Sequence, residues 1–350
     1  MKKNKLWMKV WTFALLSALV VAGCGNNAGE NNGTSGNQAG SENQGDAAAK
    51  QKVTVVLDWT PNTNHTGLYV AEEQGYYDEA GLDVEIIQPG DAGAASMVAA
   101  GRADFGISYQ EEITMARTSK DPLPIVSIAA VIQHNTSGFA APAEKGIVSP
   151  KDFEGKTYGG WGSPVEEQVM DSIMQMEQAD VSKVKIVDIG NSDFFTATKR
   201  DIDFAWIFYA WTGIEAQLRG EDIHMIYVKD YSEKLDYYTP TIITNEALID
   251  ENPELIKAFM EATSKGYQFA IEQPEQAADI LIAAVPDLDP ELVKASQEWL
   301  VDQYQADAPR WGEQKQEVWQ GYADWMMEHG LLEQELDVDA AYTNEFLPEA

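Results

Sequence analysis

The chain has 350 residues, 57 of them acidic and 24 basic, for a formal charge of −33. That balance argues against nucleic acid and anionic lipid surfaces as partners, and slightly favours a neutral or cationic ligand over a phosphate or sulfate. Cys24, the one cysteine, leaves no disulfide, thiolate metal site or cysteine nucleophile to the chain downstream.

Lys2, Lys3, Lys5 and Lys9 precede an apolar run over residues 10–22, and Gly23-Cys24-Gly25 follows. A basic start, a short apolar stretch and small residues before a cysteine describe a cleaved export signal over residues 1–23. The run is too short and wrongly flanked for a transmembrane helix. Val21-Ala22-Gly23-Cys24 resembles the lipobox of bacterial lipoproteins, which implies lipidation at Cys24, an extracytoplasmic location and attachment to the cell membrane through lipid alone. Without residues 1–23 the count is 20 basic against 57 acidic, a charge of −37. Residues 24–50 are mostly Gly, Asn, Ser, Gln and Ala, a composition that buries too little apolar surface to fold. They are expected to form a disordered tether with an r.m.s. reach of about 28 Å.

About 300 residues remain, enough for two ordinary domains. Candidate strands cover 53–57, 84–88, 104–108, 124–131, 156–159, 184–189, 204–208 and 223–228, with helical stretches between most of them. This alternation predicts an α/β fold with mostly parallel sheets flanked by helices. Residues 94–108 and 194–208 share one order: helix, basic turn, Asp, apolar strand. A repeated unit suggests two similar lobes that offer strand ends to a shared cleft. After residues 239–244 helices take over, beginning with the start signal Asn252-Pro253-Glu254. Leu255, Ala258, Phe259, Ala262 and Phe269 follow at helical spacing, with further helices around 291–304 and 314–328. The expected layout is lobe one over 51–138 plus 240–350, carrying the helical C-terminal part, and lobe two over 139–239.

The turn Asp58-Trp59-Thr60-Pro61-Asn62-Thr63-Asn64-His65-Thr66-Gly67 closes the first strand. It puts an indole, amides, an imidazole and a carboxylate at a strand's carboxyl end, where open α/β sheets hold ligands. Trp59 is either core packing or one wall of an aromatic slot, and its polar neighbours favour the slot. Asn62, Thr63, Asn64 and His65 suit a turn and a helix cap, yet at least one of Asn62, Asn64 and His65 is expected to face the cleft. In Gly159-Gly160-Trp161-Gly162-Ser163-Pro164-Val165-Glu166, Ser163 and Glu166 fit a capping box, with Pro164 at the first helical position. The glycines also admit a ligand close to the backbone, so both a structural and a binding role are open to Glu166. Trp161 between glycines has little local reason to be buried.

Along 206–211, alternation puts Trp206, Phe208 and Ala210 on one face and Ile207, Tyr209 and Trp211 on the other. Tyr209, at the strand end, has the best chance of meeting a ligand. Tyr109, Glu111 and Glu112 end the equivalent strand of lobe one; Asn135, Thr136 and Ser137 lie at the crossover and Tyr237 and Tyr238 at the return. The expected ligand set is therefore Asp58, Trp59, Asn62, His65, Tyr109, Glu111, Trp161, Glu166, Tyr209 and Tyr238. Trp299, Trp311, Trp319 and Trp325 fit amphipathic stripes and are expected to pack. His65, His134, His224 and His329 lack zinc spacing, and no nucleophile elbow or P-loop appears, so no metal, cofactor or catalytic residue is expected.

The run from Leu57 through Gly67 to Ala71, then Gly75-Tyr76-Tyr77 and Ala80-Gly81-Leu82-Asp83-Val84, resembles one family. It is similar to the thiamine-pyrimidine-precursor group within the type 2 periplasmic binding proteins. Tyr158-Gly159-Gly160-Trp161-Gly162-Ser163-Pro164 and residues 206–211 also look like that group, and the likeness covers essentially 52–345. The Gly-Tyr-Tyr part is shared with nitrate and taurine binders; the 58–67 run and the glycine-tryptophan loop are the specific parts. The resemblance implies a monomeric two-lobed solute-binding protein that closes on a formylaminopyrimidine-like ligand and presents it to the permease and ATPase of an ABC importer. Riboflavin, another heterocycle or a sulfonate is the alternative ligand. A related pyrimidine synthase consumes its own histidine and pyridoxal phosphate with a cysteine-rich iron motif. His65 lies near that histidine's place, but Asp236-Tyr237-Tyr238-Thr239-Pro240 stands roughly where the cysteines would be.

Overall fold

The computed structural model describes residues 49–349, apart from residues 91 and 191. The expected export signal, nearly all of the tether and Cys24 lie outside the described residues. The described residues form ten strands: β1 (Gln51–Val56), β2 (Leu82–Ile87), β3 (Phe105–Ser108), β4 (Ile125–Ala130), β5 (Ser137–Pro142), β6 (Thr157–Gly160), β7 (Lys185–Asp188), β8 (Phe204–Phe208), β9 (Ile223–Tyr227) and β10 (Thr241–Asn245).

They form two five-stranded sheets of matching design, ordered β2-β1-β3-β10-β4 and β7-β6-β8-β5-β9. In each, the first three strands run parallel, as the strand–helix alternation predicts. The fourth position is taken by a strand that enters from the other lobe, β10 in one sheet and β5 in the other, and it pairs antiparallel on both sides. Four strands of each sheet therefore point one way, as expected of the α/β fold, and the single reversed strand that makes each sheet mixed is the one each lobe borrows at a chain crossing.

The sequence echo has a shared hydrogen-bond device beneath it. Asp104, just before β3, donates its N–H to the Thr54 carbonyl (3.0 Å) and accepts the Thr54 N–H on its carboxylate (2.8 Å). Asp203, just before β8, does the same with Thr157, at 2.8 Å for both bonds. Each aspartate closes the start of the neighbouring strand's ladder, so the backbone groups there stay paired.

One core lies around β1, whose Val53 and Val55 pack with Phe105 and with the helix Pro253–Glu272. Asn252 caps that helix as expected, its side chain accepting from Leu255 N–H, and Phe259 stacks on Phe105 at 3.9 Å. A second core gathers Phe139, Phe153, Tyr158 and Phe204. The helix Gln316–Glu328 is shared: Trp319 packs in a cluster with Ala94 and Ile243 of the first lobe, while Tyr322, Trp325 and Met326 pack in the second core.

His134, on the first crossing, fastens the second. Its Nδ1 lies 2.6 Å from Asp236 and its Nε2 3.1 Å from Asp307, while Asp236 also accepts the Asn135 N–H at 2.7 Å. The Asp236 hydrogen bond holds His134 above the ordinary imidazole range, with Asp307 adding to it and burial and Lys229 opposing. A raised histidine gives stability that is whole below the unfolded value, about 6.5, and fades as pH rises through the folded value. His134→Gln should therefore destabilise the protein more in mildly acidic than in mildly alkaline buffer, as read from urea midpoints. A midpoint difference that stays constant with pH would remove the charge from this role.

Candidate functional site

Among the described residues, four aromatic side chains are well exposed: Trp59 (47%), Tyr109 (36%), Trp161 (44%) and Phe208 (44%). Each stands at or just past the carboxyl end of a strand, β1, β3, β6 and β8 respectively. These are the adjacent parallel strands at the centre of each sheet's parallel part. Exposing a large ring costs hydrophobic burial, about 2 kcal/mol for a side chain of this size. Scattered exposed aromatics need no explanation, but four in equivalent strand-end positions of two sheets form a repeated feature, at the strand ends where open α/β sheets hold ligands.

The loop after β1 is held from beneath. Asn62 N–H donates to His65 Nδ1 at 3.1 Å, so the His65 proton sits on Nε2, which donates to Asp58 at 2.8 Å. Asn62 caps the short turn Thr63–His65, accepting from Asn64 N–H and donating to the Thr60 carbonyl. Tyr304 and Tyr267 donate their hydroxyls to the carbonyls of Thr63 and Asn64, both at 2.7 Å. Asn62 and His65 are thus buried loop-builders rather than groove-facing groups. Their work is to aim Asp58 and to leave Trp59 standing free.

The loop after β6 has the same economy. Ser163 caps the helix Pro164–Met176 within a capping box. Glu166 accepts from Ser163 N–H (2.8 Å), from Trp161 N–H (3.2 Å) and from the Tyr158 hydroxyl (2.5 Å). The buried Glu166 is fully used in folding the loop around Trp161, and burial holds its carboxyl above the usual range. Gly160 leaves room for this arrangement, since a Cβ would lie 2.3 Å from a Glu166 oxygen and 2.8 Å from the ring of buried Tyr158. Trp161 then meets Trp206 edge-on at 5.8 Å.

Two further members of the expected set turn away. Tyr238 is buried in a core, with its hydroxyl accepting from Lys315 N–H and its backbone tied to Gln110. Tyr209 opens a π-helical turn, Tyr209–Gly213, and packs against Trp299 and Tyr227, its hydroxyl accepting from Gln217. The alternation that puts Phe208 on the exposed side puts Tyr209 on the other.

Glu111 and Glu112 open the helix Gln110–Thr118 beside Tyr109. Ser108 donates to Glu112 at 2.6 Å, and Ser163 of the second lobe reaches Glu111 at 3.5 Å, which brings the two lobes' loops together. Burial and the nearby Glu166 push the Glu111 carboxyl up to about 7, against the Ser163 hydrogen bond and the nearby Tyr322 hydroxyl. Glu112 is also raised, by burial with a contribution from Asp58, and Tyr109 is raised by burial and by Glu112, Glu111 and Asp58. None of the ion pairs among the described residues includes Glu111, Glu112 or Glu166. The aromatic set is thus edged by acceptors without matching cations, a surface suited to a flat ligand that carries N–H donors or positive charge.

Phe208 and Tyr322 stood outside the expected ligand set, and Tyr237 was named at the return without being placed in it. Phe208 was legible only as one side of an alternating strand. Tyr237, rather than Tyr238, is the return-segment ring that faces Glu111, and it stacks at 4.1 Å on Tyr322, from a helix with no motif to single it out.

A family model described as NMT1/THI5 like matches residues 62–277. A formylaminopyrimidine-binding protein of Halalkalibacterium halodurans is 30% identical over 307 residues, covering 85% of this chain and 92% of the relative. A 4-amino-5-hydroxymethyl-2-methylpyrimidine phosphate synthase of Legionella pneumophila is 26% identical, covering 87% of this chain and 94% of the relative. The solved periplasmic aliphatic sulphonate-binding protein of Escherichia coli superposes with a TM-score of 0.66 at 12% identity, over 85% of this chain and 99% of that one. At that identity the likeness speaks to the two-lobed periplasmic-binding-protein fold alone.

Proposed function

The chain belongs to the NMT1/THI5-like family, and from that premise we propose that it is the extracytoplasmic solute-binding lipoprotein of an ABC importer. Its ligand is a thiamine pyrimidine precursor of the formylaminopyrimidine kind. Lobe one, over 51–138 and 240–350, and lobe two, over 139–239, close on that ligand and present it to the permease. Cys24 carries the lipid that keeps the protein at the membrane.

The four exposed rings at equivalent strand ends carry this reading. Trp59 and Tyr109 from one lobe and Trp161 and Phe208 from the other supply π-faces for a planar heterocycle. Asp58, Glu111 and Glu112 supply acceptors for an exocyclic amine and for a protonated ring nitrogen. The same carboxylates, with no paired cation, disfavour a sulfonate. The synthase alternative needs a histidine free to react, whereas His65 is buried with both ring nitrogens bonded, and the chain downstream of Cys24 has no cysteine for iron.

Calorimetric titration of the soluble domain with formylaminopyrimidine, riboflavin and an alkanesulfonate tests the assignment. Micromolar or tighter binding of the pyrimidine alone is expected. Preference for the sulfonate would overturn the reading. A pyrimidine product formed after incubation with pyridoxal phosphate and iron, detected by mass spectrometry, would replace binding by synthesis.

A further inference from the structure

Tyr322 lies outside the family-matched residues 62–277, on the helix Gln316–Glu328. Its ring is fully buried between Tyr237, at 4.1 Å and nearly parallel, and Trp325, at 5.8 Å. Packing explains the ring but not the oxygen. The Tyr322 hydroxyl is buried and has no partner within hydrogen-bond distance. A buried hydroxyl in that state destabilises the fold, and phenylalanine would keep both stacking contacts without it.

The hydroxyl faces two groups, the Glu111 carboxyl and the Tyr237 phenol. Glu111 is the groove carboxyl with the fewest fixed partners: one long contact, 3.5 Å, from Ser163 of the opposite lobe. Glu112 and Glu166 face it with like charge, and Tyr237 approaches it from the return segment. Glu112 and Glu166, by contrast, are oriented by short bonds from Ser108 and from Tyr158 and Ser163. Glu111 alone of the three lacks a short bond that would orient it.

We propose that Tyr322 is a positioning residue for Glu111, its hydroxyl holding one carboxyl oxygen by its outer lone pair so that the carboxyl edge, both oxygens, is presented to a ring nitrogen and adjacent amine in the groove. The proposal rests on the aminopyrimidine reading above and deepens it. A carboxyl turned edge-on meets an N–C–N edge with two hydrogen bonds, and a freely rotating one does not. The helix Gln316–Glu328, which is shared by both lobes, thereby enters ligand selection.

The test compares Tyr322→Phe, Glu111→Gln and the double variant in two measurements. In the ligand-free protein, the Glu111 side-chain carbon, labelled with ¹³C and assigned by its loss in Glu111→Gln, is titrated by NMR. The wild-type inflection is expected near 7. Because a donor to the carboxylate lowers its pKa, Tyr322→Phe should raise that inflection while leaving thermal stability equal or higher. An unmoved inflection overturns the proposal, since a purely structural tyrosine predicts that result. In calorimetry with formylaminopyrimidine, Tyr322→Phe should weaken binding about tenfold, and the effect should vanish in the Glu111→Gln background. Additive losses in the double variant would likewise overturn it. If the NMR inflection moves but no pyrimidine binds even to wild type, the ligand reading fails and the positioning of Glu111 stands.

Discussion

Replacing Gly266 by alanine is expected to lower stability by about 2–3 kcal/mol, against the gain that alanine normally brings to a helix. Gly266 lies buried in the helix Pro253–Glu272, where a Cβ would sit 2.0 Å from the carbonyl oxygen of Gly67, 3.0 Å from its carbon and 3.1 Å from the Ala71 Cβ. The helix Thr66–Glu73 offers backbone there, not the movable end of a side chain. Gly67 is equally committed, since a Cβ on it would come within 2.3 Å of the Tyr267 ring. The two helices touch through paired glycines, and relief requires one of them to shift as a body. Helix propensity favours alanine by only about 1 kcal/mol, so the clash decides the sign. The displaced helix would also disturb Tyr267, whose hydroxyl holds the loop that carries Trp59. Gly321 is the matched control: it lies in a helix with open space around its absent Cβ, and Gly321→Ala should stabilise by about 0.5–1 kcal/mol. Urea unfolding of both variants checks the pair. A Gly266→Ala protein as stable as wild type would mean that the helices do not meet this closely.

What the sequence made legible was whatever depends on local spacing. The strand–helix alternation, the repeated helix–Asp–strand unit, the Asn252 cap and the Ser163 capping box all stand where their neighbours in the chain put them. β5 was missed because Ser137-Gly-Phe-Ala-Ala-Pro142 has no β-branched residue and reads as a connection. It is a strand because β8 and β9 flank it, and Gly138 is there because a Cβ would meet the Ile226 carbonyl oxygen at 2.2 Å. At the site the same divide holds. A polar residue in a strand-end loop announces itself, but whether it faces ligand or loop depends on bonds that spacing does not fix. Trp59 and Trp161 stay exposed, while Asn62, His65 and Glu166 are consumed in building the turns beneath them. Tyr322 stands near Glu111 although about two hundred residues separate them in the chain, and no local pattern carries that information.

This division of labour sets up the second large effect, in which binding and stability should separate. Trp59→Ala is expected to weaken pyrimidine binding by about 2–4 kcal/mol, the loss typical of a central aromatic anchor. Its effect on unfolding should stay within about 0.5 kcal/mol, because the ring is half exposed and the loop's bonds run through Asp58, Asn62 and His65 instead. His65→Ala should do the reverse to stability: it leaves Asn62 N–H without its acceptor and opens a buried space. If Trp59 and Trp161 cover one heterocycle from opposite lobes, each ring's contribution depends on the other holding the ligand. Trp59→Ala and Trp161→Ala should then be non-additive, with a coupling of about 0.5–1.5 kcal/mol in a double-mutant cycle read by calorimetry. Simple additivity would place the two indoles on separate parts of the ligand. Undiminished affinity in a folded Trp59→Ala protein would take the first strand's loop out of the site and leave its exposed indole without a purpose.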